Sequence, residues 1–375
     1  MPQQEETFTI GVEEEYQIVD PHTRELSPDA EQILPLAQEV LGDVVQYELM
    51  LSQIEIATPI CRTLEDVHSE LGRLRQGTIA AAEQFGKRIA AAGTHPISSW
   101  QEQQVTPGPR YQQLVRDYQQ LVQQQVIFGC HVHIGINDRE AALQVLNRAR
   151  LWLPVLLALT ANSPFWQQKD TRYASFRTPL WWASPPSGPP SLFASRADYE
   201  ELVQTLVTTK SVVDVTRVYW DIRLPERFNT IEFRVMDVCM TLDEAVMVAG
   251  LVRALVQTCY KQAMNNEPIR DVHNELLRAA SWQAARYGMD ADLIDIWEKR
   301  AVPARLLLES FLEFVRPALE AEGDWERVAS SMQRVMQHGN GAARQRAVYE
   351  RTGNMQDVVD FIIAETAKDL PPFTH

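Results

Sequence analysis

The stretch TIGVEEEYQIVD near the N-terminus places three consecutive glutamates in a run of residues typical of a β-strand. Because successive strand residues face opposite sides, Glu13 and Glu15 share a polar side, whereas Glu14 falls among apolar neighbours. We therefore expect Glu14 to have a buried partner, such as an arginine, or to lie at an edge. Glu13 and Glu15 belong either to a solvated acidic patch or to a cation site in a cleft.

The same alternation recurs in QIEIATP, VIFGCHVHIGI, RVYWDIRL and TIEFRVMD, so five predicted strands each have one apolar face and one ionisable face. In the four later stretches the ionisable face carries Glu55, His131, His133, Asp221, Arg223, Glu232 and Arg234. A charged face on a single strand is most often solvent-exposed, but five together favour the floor of one polar cavity. The pattern predicts an α+β fold in which helices cover the apolar face of an antiparallel sheet.

Glutamates that converge on one sheet face would offer hard oxygen ligands to Mg²⁺ or Mn²⁺. The candidates are Glu13, Glu15, Glu55 and Glu232. His131 could add a nitrogen ligand, a role that suits Mn²⁺ better than Mg²⁺. Without a cation the clustered carboxylates would repel one another and raise their own pKa values, and a bound metal ion removes that cost.

Arginines near these acids indicate an anionic substrate. Arg234 and Arg223 lie on the ionisable strand faces, and Arg172 and Arg177 lie in a later aromatic segment. Guanidinium groups suit phosphate or carboxylate oxygens, so metal ions together with arginines predict phosphoryl chemistry on ATP. In the alternative interpretation each arginine only pairs with a nearby acid, and for Arg223 this is at least equally plausible.

Familiar motifs do not offer a better explanation. The sequence has no G-x-x-x-x-G-K-[ST], so ATP would not bind through a Walker loop, and it has no H-E-x-x-H zinc motif. The H-V-H pair lacks the parallel strands and further histidines of an amidohydrolase barrel. A lone His133 is more often structural than catalytic.

The chain of 375 residues, 45% of them hydrophobic, predicts a soluble protein with a single catalytic domain over residues 1–375. Residues 163–193 are rich in Pro and Trp and predict a long ordered loop that forms a lid or pocket wall. Residues 271–375 are predicted to be mostly helical. Thr63 predicts a helix from about Leu64 to Ala92, and Ser27 with Pro28 predicts another helix start.

A net charge of -15 argues against partners such as nucleic acid or an anionic membrane surface. The N-terminal residues MPQQEETF show no signal peptide. The apolar run at 151–161 is too short to span a membrane and contains a proline, so it predicts a buried helix. Four scattered cysteines without a C-x-x-C pair predict reduced thiols and a cytoplasmic location.

The motifs GVEEEY, QIEIATP, GCHVHIG and TIEFRVMD, in this order and at these distances, resemble the type 2 glutamate–cysteine ligase family, specifically the YbdK-type carboxylate–amine ligases. The resemblance runs from about Thr7 into the C-terminal RQRAVYERTG stretch. It implies a glutamine-synthetase-like fold, whose curled antiparallel sheet forms a funnel with helices packed on its outer face. It also implies an enzyme that uses ATP and Mg²⁺ to phosphorylate a carboxylate, after which an amine attacks the acyl phosphate to give an amide.

Motif by motif, the resemblance implies metal ligands at Glu13, Glu15, Glu48, Glu55, His131 and Glu232. Since Glu48 and Glu55 have opposite parity, a bulge or break near residues 50–52 is needed to bring both into the cavity. The resemblance implies that Arg234 neutralises the transferring phosphoryl group and that Arg177 orients the donor carboxylate or a phosphate. Arg223, Arg172 and His133 are further candidates for binding ATP or substrate.

This chain departs from the longer bacterial members of the family, because Glu14 and His133 stand where those have arginine and asparagine. The resemblance therefore implies an amino-acid carboxylate donor, with glutamate plausible, and an amine acceptor that is not fixed as cysteine. It implies weak glutamate–cysteine ligase activity and a homodimer.

Two alternative functions remain open on the sequence. A guanidino kinase-like phosphotransferase uses a related fold but leaves a phosphorylated product, whereas a ligase releases free phosphate with an amide. A catalytically silent protein that senses an amino acid or nucleotide would bind its ligand without releasing ADP. The intact acidic set favours an enzyme over a sensor.

Overall fold

The structure, a computed structural model, describes residues 6–370 of the chain. Its strands are β1 (Ile10–Val19), β2 (Val45–Tyr47), β3 (Gln53–Ala57), β4 (Arg88–Ala90), β5 (Gly129–Gly135), β6 (Phe165–Trp166), β7 (Lys169–Asp170), β8 (Ser187–Gly188), β9 (Tyr219–Trp220), β10 (Ile222–Arg223), β11 (Thr230–Asp237), β12 (Asp292–Asp295) and β13 (Arg300–Pro303).

The α-helices are α1 (Ala30–Leu41), α2 (Leu64–Gln84), α3 (Pro109–Tyr118), α4 (Gln120–Gln123), α5 (Arg139–Ala149), α6 (Leu153–Thr160), α7 (Arg177–Trp182), α8 (Arg196–Thr208), α9 (Leu242–Met264), α10 (Asn274–Tyr287), α11 (Ala304–Glu322), α12 (Trp325–His338), α13 (Gly341–Thr352) and α14 (Met355–Thr366). Short 3₁₀ turns cover Trp100–Glu102, Arg150–Trp152 and Val215–Arg217. From residue 271 to 370 the chain therefore forms helices α10 to α14 and the β12–β13 hairpin.

An open antiparallel sheet forms the centre of the molecule, with strand order β10-β11-β5-β1-β3-β2 and with β4 pairing to β1. The apolar residues of its strands join one large core with helices, among which α9 packs against β5 and β1 and α6 packs against β11. The α+β arrangement expected from the alternating strands is confirmed. The opposite face of the sheet carries the ionisable side chains.

The strand register brings distant residues of that ionisable face side by side. Glu13 lies opposite His131, and Glu15 lies opposite Glu55. Farther along β5, His133 lies opposite Glu232. Since side chains directly opposite one another in an antiparallel pair lie close together, pairing alone gathers six of the candidate side chains.

Glu48 reaches the ionisable face without belonging to a paired strand. It follows the last residue of β2, and the chain reverses over residues 49–52 before β3 begins, so the break expected there is a hairpin connection. Alternation of faces holds only within one continuous strand, and the hairpin separates β2 from β3. The opposite parity of Glu48 and Glu55 therefore does not place them on opposite faces of the sheet.

Three sequence-based boundaries were wrong. The helix that starts after Thr63 ends at Gln84, because the chain turns at Gly86 (φ 67°) and continues as β4 in the sheet. Helix α1 begins at Ala30 rather than at Ser27 and Pro28. The stretch RVYWDIRL is split at Asp221, whose amide donates to the Gly188 carbonyl, so β9 pairs with β8 outside the main sheet.

The segment 163–193 is ordered and contains β6, β7, α7 and β8. It is fixed to the rest of the molecule partly through β8–β9 pairing. One continuous helical stretch, residues 139–160, is apolar and long enough to cross a membrane by composition, but 89% of its most apolar window is buried inside the protein. The buried helix expected within residues 151–161 is confirmed, because every residue of α6 is buried.

Candidate active site

The ionisable face of the sheet forms the floor of a cavity of about 580 Å³. Strands β1, β3, β5 and β11 place their polar side chains there because their apolar partners are held in the core on the other side. Of the residues considered from the sequence, those lining the cavity are Glu13, Glu15, Glu48, Glu55, His131, His133, Arg223, Glu232 and Arg234.

One group of possible metal ligands comprises Glu13, His133 and Glu232, whose donor atoms lie within 4.8 Å of one another. His133 Nε2 is 3.3 Å from Glu13 Oε1 and 4.0 Å from Glu232 Oε1. Burial raises the pKa of Glu13, but His131 and His133 outweigh it and bring the pKa well below its usual range. The group is thus held together partly by His133, and His131 contacts Glu13 from outside the group.

A second group comprises Glu15, Glu48 and Glu55, again with donor atoms within 4.8 Å of one another. Burial, followed by the charge of Glu48, raises the pKa of Glu15 to about 7. Burial and the neighbouring glutamates raise the pKa of Glu55 well above its usual range. Three carboxylates in this position repel one another unless protons or a cation intervene.

His131 lies between the two groups. Its Nδ1 is 3.1 Å from Glu13 Oε2, and its Nε2 is 3.8 Å from Glu15 Oε1. The ring is 3% exposed, and burial followed by the charge of Arg234 lowers its pKa to about 4, which leaves it neutral near pH 7. A neutral imidazole is the form that binds metal ions.

Arg223 and Arg234 both bind the carboxylate of Glu232. Arg223 Nε lies 2.6 Å from Glu232 Oε2, and Arg234 Nη1 contacts Glu232 Oε1. Burial alone would raise the pKa of Glu232, but Arg234 and Arg223 outweigh it and hold the pKa well below its usual range. Arg223 thus makes the acid pairing considered from the sequence, with two further bonds to backbone carbonyls.

Arg177 lies behind the cavity floor and does not line the cavity. It is 2% exposed, its Nη2 donates to the Arg234 carbonyl at 3.3 Å, and its Nε has no partner among the described residues. Gly129 provides the space, because a Cβ there would overlap the Arg177 Nη2. Arg177 is therefore a buried cation below the floor, without an ion pair in the described part of the chain.

The structure does not bring Arg172 to the cavity. Its side chain is 78% exposed, and its Nε lies 3.7 Å from Asp170 Oδ2 next to the β6–β7 hairpin. The backbone at Arg172 has a φ of 64°, and its carbonyl accepts from Arg286. Membership of the aromatic segment was the only reason to include Arg172, and the hairpin holds this part of the segment away from the floor.

Other residues at the cavity were not selected from the sequence. Trp181, from the segment 163–193, lines the cavity together with Arg217 and Tyr219. Asp221 lies 1% exposed beneath them, where burial raises its pKa to about 7 and Trp182 Nε1 donates to it at 3.3 Å. In RVYWDIRL, Arg217 and Tyr219 have the same parity as Asp221 and Arg223, so strand alternation placed them on the ionisable face, but neither was chosen as a site residue.

The two acidic groups fit divalent cations. Each offers three donors, and oxygen predominates, as Mg²⁺ and Mn²⁺ require. The Nε2 atom of His131 is buried without a hydrogen-bond partner among residues 6–370, which is the state of a nitrogen that can accept a metal ion, whereas His133 Nε2 faces Glu13 Oε1 at 3.3 Å. A cation in the second group would also remove the repulsion that raises the pKa values of Glu15 and Glu55.

Comparison with known proteins shows the family of the chain. The sequence profile of glutamate–cysteine ligase family 2 matches residues 9–360. A protein of Rhodopirellula baltica, provisionally named glutamate–cysteine ligase 2, is 41% identical over 363 residues and 96% of each chain. A protein of Solibacter usitatus with the same provisional name is 39% identical over 371 residues, which are 98% of this chain and 96% of its own.

Solved structures of low sequence identity share the fold. The crystal structure of a glutamate–cysteine ligase from Francisella tularensis, in complex with AMP, has a TM-score of 0.69 at 12% identity and covers 98% of this chain and 91% of its own. The complex of the ubiquitin-like protein Pup with its ligase PafA contains a chain with a TM-score of 0.56 at 12% identity, with 95% and 72% of the two chains covered. The full-length profile match and the relatives at about 40% identity show that this chain belongs to glutamate–cysteine ligase family 2, a family of ligases that form C–N bonds.

Proposed function

We propose that this protein is an ATP-dependent carboxylate–amine ligase that forms an amide through an acyl phosphate, with weak glutamate–cysteine ligase activity. The observation that carries the proposal is the presence of two three-donor acidic groups side by side on the floor of one cavity, with Arg234 next to them. Family membership supports the ligase chemistry, and the AMP in the Francisella tularensis enzyme supports ATP as the nucleotide.

Glu13, His133 and Glu232 would hold one Mg²⁺ or Mn²⁺ ion, and Glu15, Glu48 and Glu55 would hold another. His131, between them, could contribute to either. Bound metal ions would neutralise the phosphate oxygens of ATP and fix their position.

Arg234 would stabilise negative charge on the transferring phosphoryl group, and its ion pair with Glu232 sets the direction of its guanidinium. Loss of one such arginine could reduce the rate by roughly 10³-fold, by analogy with arginine fingers. Arg177, one layer below, has a charge that acts to lower the pKa values of Glu15 and Asp237, and it would reach the donor carboxylate only after a side-chain movement.

The segment 163–193 would exclude water from the reacting carboxylate, because Trp181 closes one side of the cavity. Exclusion matters here, since an acyl phosphate is hydrolysed unless the amine reaches it before water does. As part of this proposal, the open sheet curls into the funnel of a glutamine-synthetase-like fold. The protein is also proposed to be a cytoplasmic homodimer without nucleic-acid or membrane partners.

Release of phosphate from Mg-ATP across a grid of amino acids and amines, with mass spectrometry of the products, tests the proposal. We expect ADP, phosphate and an amide in equal amounts for at least one pair. A phosphorylated product without free phosphate would instead identify a kinase. Binding of ATP or an amino acid without ADP release from any mixture would identify a silent binding protein and overturn the proposal.

A further inference from the structure

Arg234, which the proposed function places at the transferring phosphoryl group, makes one side-chain hydrogen bond to the described part of the chain. Its Nη1 donates to Glu232 Oε1. Its Nε is buried without a hydrogen-bond partner among residues 6–370, and only 9% of the residue is exposed. The direction of the guanidinium therefore depends on Glu232 and on whatever packs against the flat side of the group.

The carboxylate of Glu232 is shared with other groups. It belongs to the acidic group with Glu13 and His133, and its Oε1, the oxygen that Arg234 contacts, lies 4.0 Å from His133 Nε2. Arg223 Nε holds the other oxygen at 2.6 Å. An oxygen that also binds a divalent cation is a weaker acceptor for a guanidinium. Arg234 therefore needs a second contact that does not involve this carboxylate.

The indole of Trp181 provides that contact. The guanidinium carbon of Arg234 lies 5.4 Å from the ring centroid, which is within the range of a cation–π interaction. Trp181 is itself fixed, because its Nε1 donates to the Tyr219 carbonyl at 3.2 Å and its ring lies 4.9 Å from the Tyr219 ring. Arg177, below the floor, has its guanidinium carbon 5.8 Å from the same indole. The indole thus contacts both guanidinium groups and is anchored to β9.

Helix α7, which carries this indole, is bonded to the backbone around Arg234. At its start, Arg177 Nη2 donates to the Arg234 carbonyl at 3.3 Å. At its end, Trp182 Nε1 donates to Asp221 Oδ1 at 3.3 Å, and the Asp221 carbonyl accepts from the Arg234 amide at 2.8 Å. These bonds fix the position of the indole relative to the guanidinium.

We propose that Trp181 is a positioning residue that keeps the Arg234 guanidinium directed at the phosphoryl group when Glu232 binds a cation. This inference rests on the proposed ligase function and deepens it, because it gives Trp181 a part in the rate of phosphoryl transfer. An aromatic side chain at this place has two other possible roles, which are to exclude water from the acyl phosphate and to stack against a substrate. The three roles predict different results for the same variants.

A double-mutant cycle between Trp181 and Arg234 separates the roles. The variants are Trp181→Leu, Arg234→Met and the double variant, with Trp181→Phe as the conservative replacement and Trp282→Leu, on the exposed surface of α10, as the matched control. For the best substrate pair of the grid we would measure kcat, the KM of each substrate and the ADP released per amide. If the indole acts through the guanidinium, its removal has no further effect once the guanidinium is absent.

Trp181→Leu is expected to lose about 10- to 30-fold in kcat, which is the worth of a desolvated cation–π contact. The KM values should change by less than about 3-fold, and ADP and amide should still be released in equal amounts. Trp181→Phe, which keeps an aromatic face, should lose less, and Trp282→Leu should match the wild type. In the Arg234→Met background, Trp181→Leu should cost less than about 2-fold.

The position of Arg234 also has a readout that needs no turnover. In protein labelled with ¹⁵N at arginine, the Nε–H signal of Arg234 is the one that Arg234→Lys removes, and the ring current of the indole shifts it. Trp181→Leu should move this signal. The movement should be larger with Mg²⁺ than with a chelator, because the cation weakens the hold of Glu232. Thermal melting identifies a variant that fails to fold, and Trp181→Phe then decides.

Three results would overturn the inference: equal losses from Trp181→Leu with and without Arg234, a rise in KM without a fall in kcat, or an Arg234 signal that Trp181→Leu leaves in place. More ADP released per amide at an unchanged kcat would also overturn it, since the indole would then only exclude water. Absence of ADP release with every mixture would count against the proposed function instead. The Arg234 signal alone would then decide whether Trp181 positions this guanidinium.

Discussion

Glu14 and Arg75 form an ion pair that is completely buried behind the cavity floor, with Arg75 Nη2 at 2.5 Å from Glu14 Oε1 and Arg75 Nε at 2.9 Å from Glu14 Oε2. Arg75 also donates to the carbonyls of Cys239 and Met240, just beyond the end of β11. The pair thus connects β1, which carries Glu13 and Glu15, to the strand that carries Glu232. The expectation that Glu14 has a buried arginine partner is confirmed.

Removing one member of this pair should destabilise the protein strongly. For Arg75→Met we expect the free energy of unfolding to fall by about 3–5 kcal/mol, because Glu14 would be left as a buried charge without a partner. Urea denaturation followed by tryptophan fluorescence measures this.

The double variant Arg75→Met with Glu14→Leu is the matched comparison, since it removes both charges and should recover part of the lost stability. Arg73→Met, two residues earlier and partly exposed in a pair with Glu70, should change the stability by less than about 1 kcal/mol. A single variant Arg75→Met as stable as the wild type would show that the pair does not hold these strands.

The second acidic group should be essential for turnover. Glu55→Gln keeps the size of the side chain but removes one of three carboxylates, so we expect ATP-dependent turnover to fall by at least about 100-fold. The decrease should be accompanied by weaker Mn²⁺ binding in a titration followed by electron paramagnetic resonance. Glu309→Gln, on the exposed side of α11, serves as the control and should leave both measurements unchanged. Full activity in Glu55→Gln would contradict the assignment of this group to metal.

Strand parity was enough to identify most of the cavity floor from the sequence. It separated Glu14 from Glu13 and Glu15, and it placed Glu232 and Arg234 on one face, because a strand with one buried side fixes the direction of every side chain. Parity does not report distances along the sheet, so it could not show that β5 pairs His133, rather than His131, with Glu232.

Residues outside regular strands were less accessible to sequence reasoning. Arg172 was included and Arg217 was not, although both lie in irregular segments with arginine next to aromatic residues. Their positions depend on how each segment turns: the β6–β7 hairpin holds Arg172 outside, and the turn Val215–Arg217 directs Arg217 to the cavity. Asp214 gives the turn at Val215–Arg217 a local signal, but the direction in which the turn points Arg217 depends on tertiary contacts.

The two histidines should differ in their effect on metal stoichiometry. His133 lies in a three-donor group with Glu13 and Glu232, so we expect His133→Ala to lose one of two bound Mn²⁺ ions in an equilibrium titration. His131→Ala should lower the affinity at both positions without abolishing either, because His131 lies between the groups. His95→Ala is a control, since His95 accepts from the backbone amides of Ile97 and Ser98 away from the cavity. If His131→Ala loses one ion and His133→Ala loses none, the roles are reversed.

The stabilisation of the protein by Mg²⁺ should increase with pH. The pKa of Glu15 is raised to about 7 in the folded protein, mainly by burial, so without metal the folded state retains a proton that the unfolded state has lost above pH 4.5. Stability of the metal-free protein therefore falls as pH rises from about 4.5 to 7, by up to about 3 kcal/mol for this group.

Magnesium ions compete with those protons, so the difference in melting temperature between samples with Mg²⁺ and with a chelator should widen across the same interval. Glu15→Gln has no proton to release at this position, and we expect it to show a flatter dependence in the metal-free protein and a smaller widening. Asp221→Asn is a useful comparison, because Asp221 also has a pKa of about 7 but belongs to neither acidic group. This variant should flatten the pH dependence of stability in the metal-free protein but leave the widening of the melting-temperature difference with Mg²⁺ in place. A Mg²⁺ effect that stays constant from pH 4.5 to 7 in the wild type would mean that the cation does not displace protons from this floor.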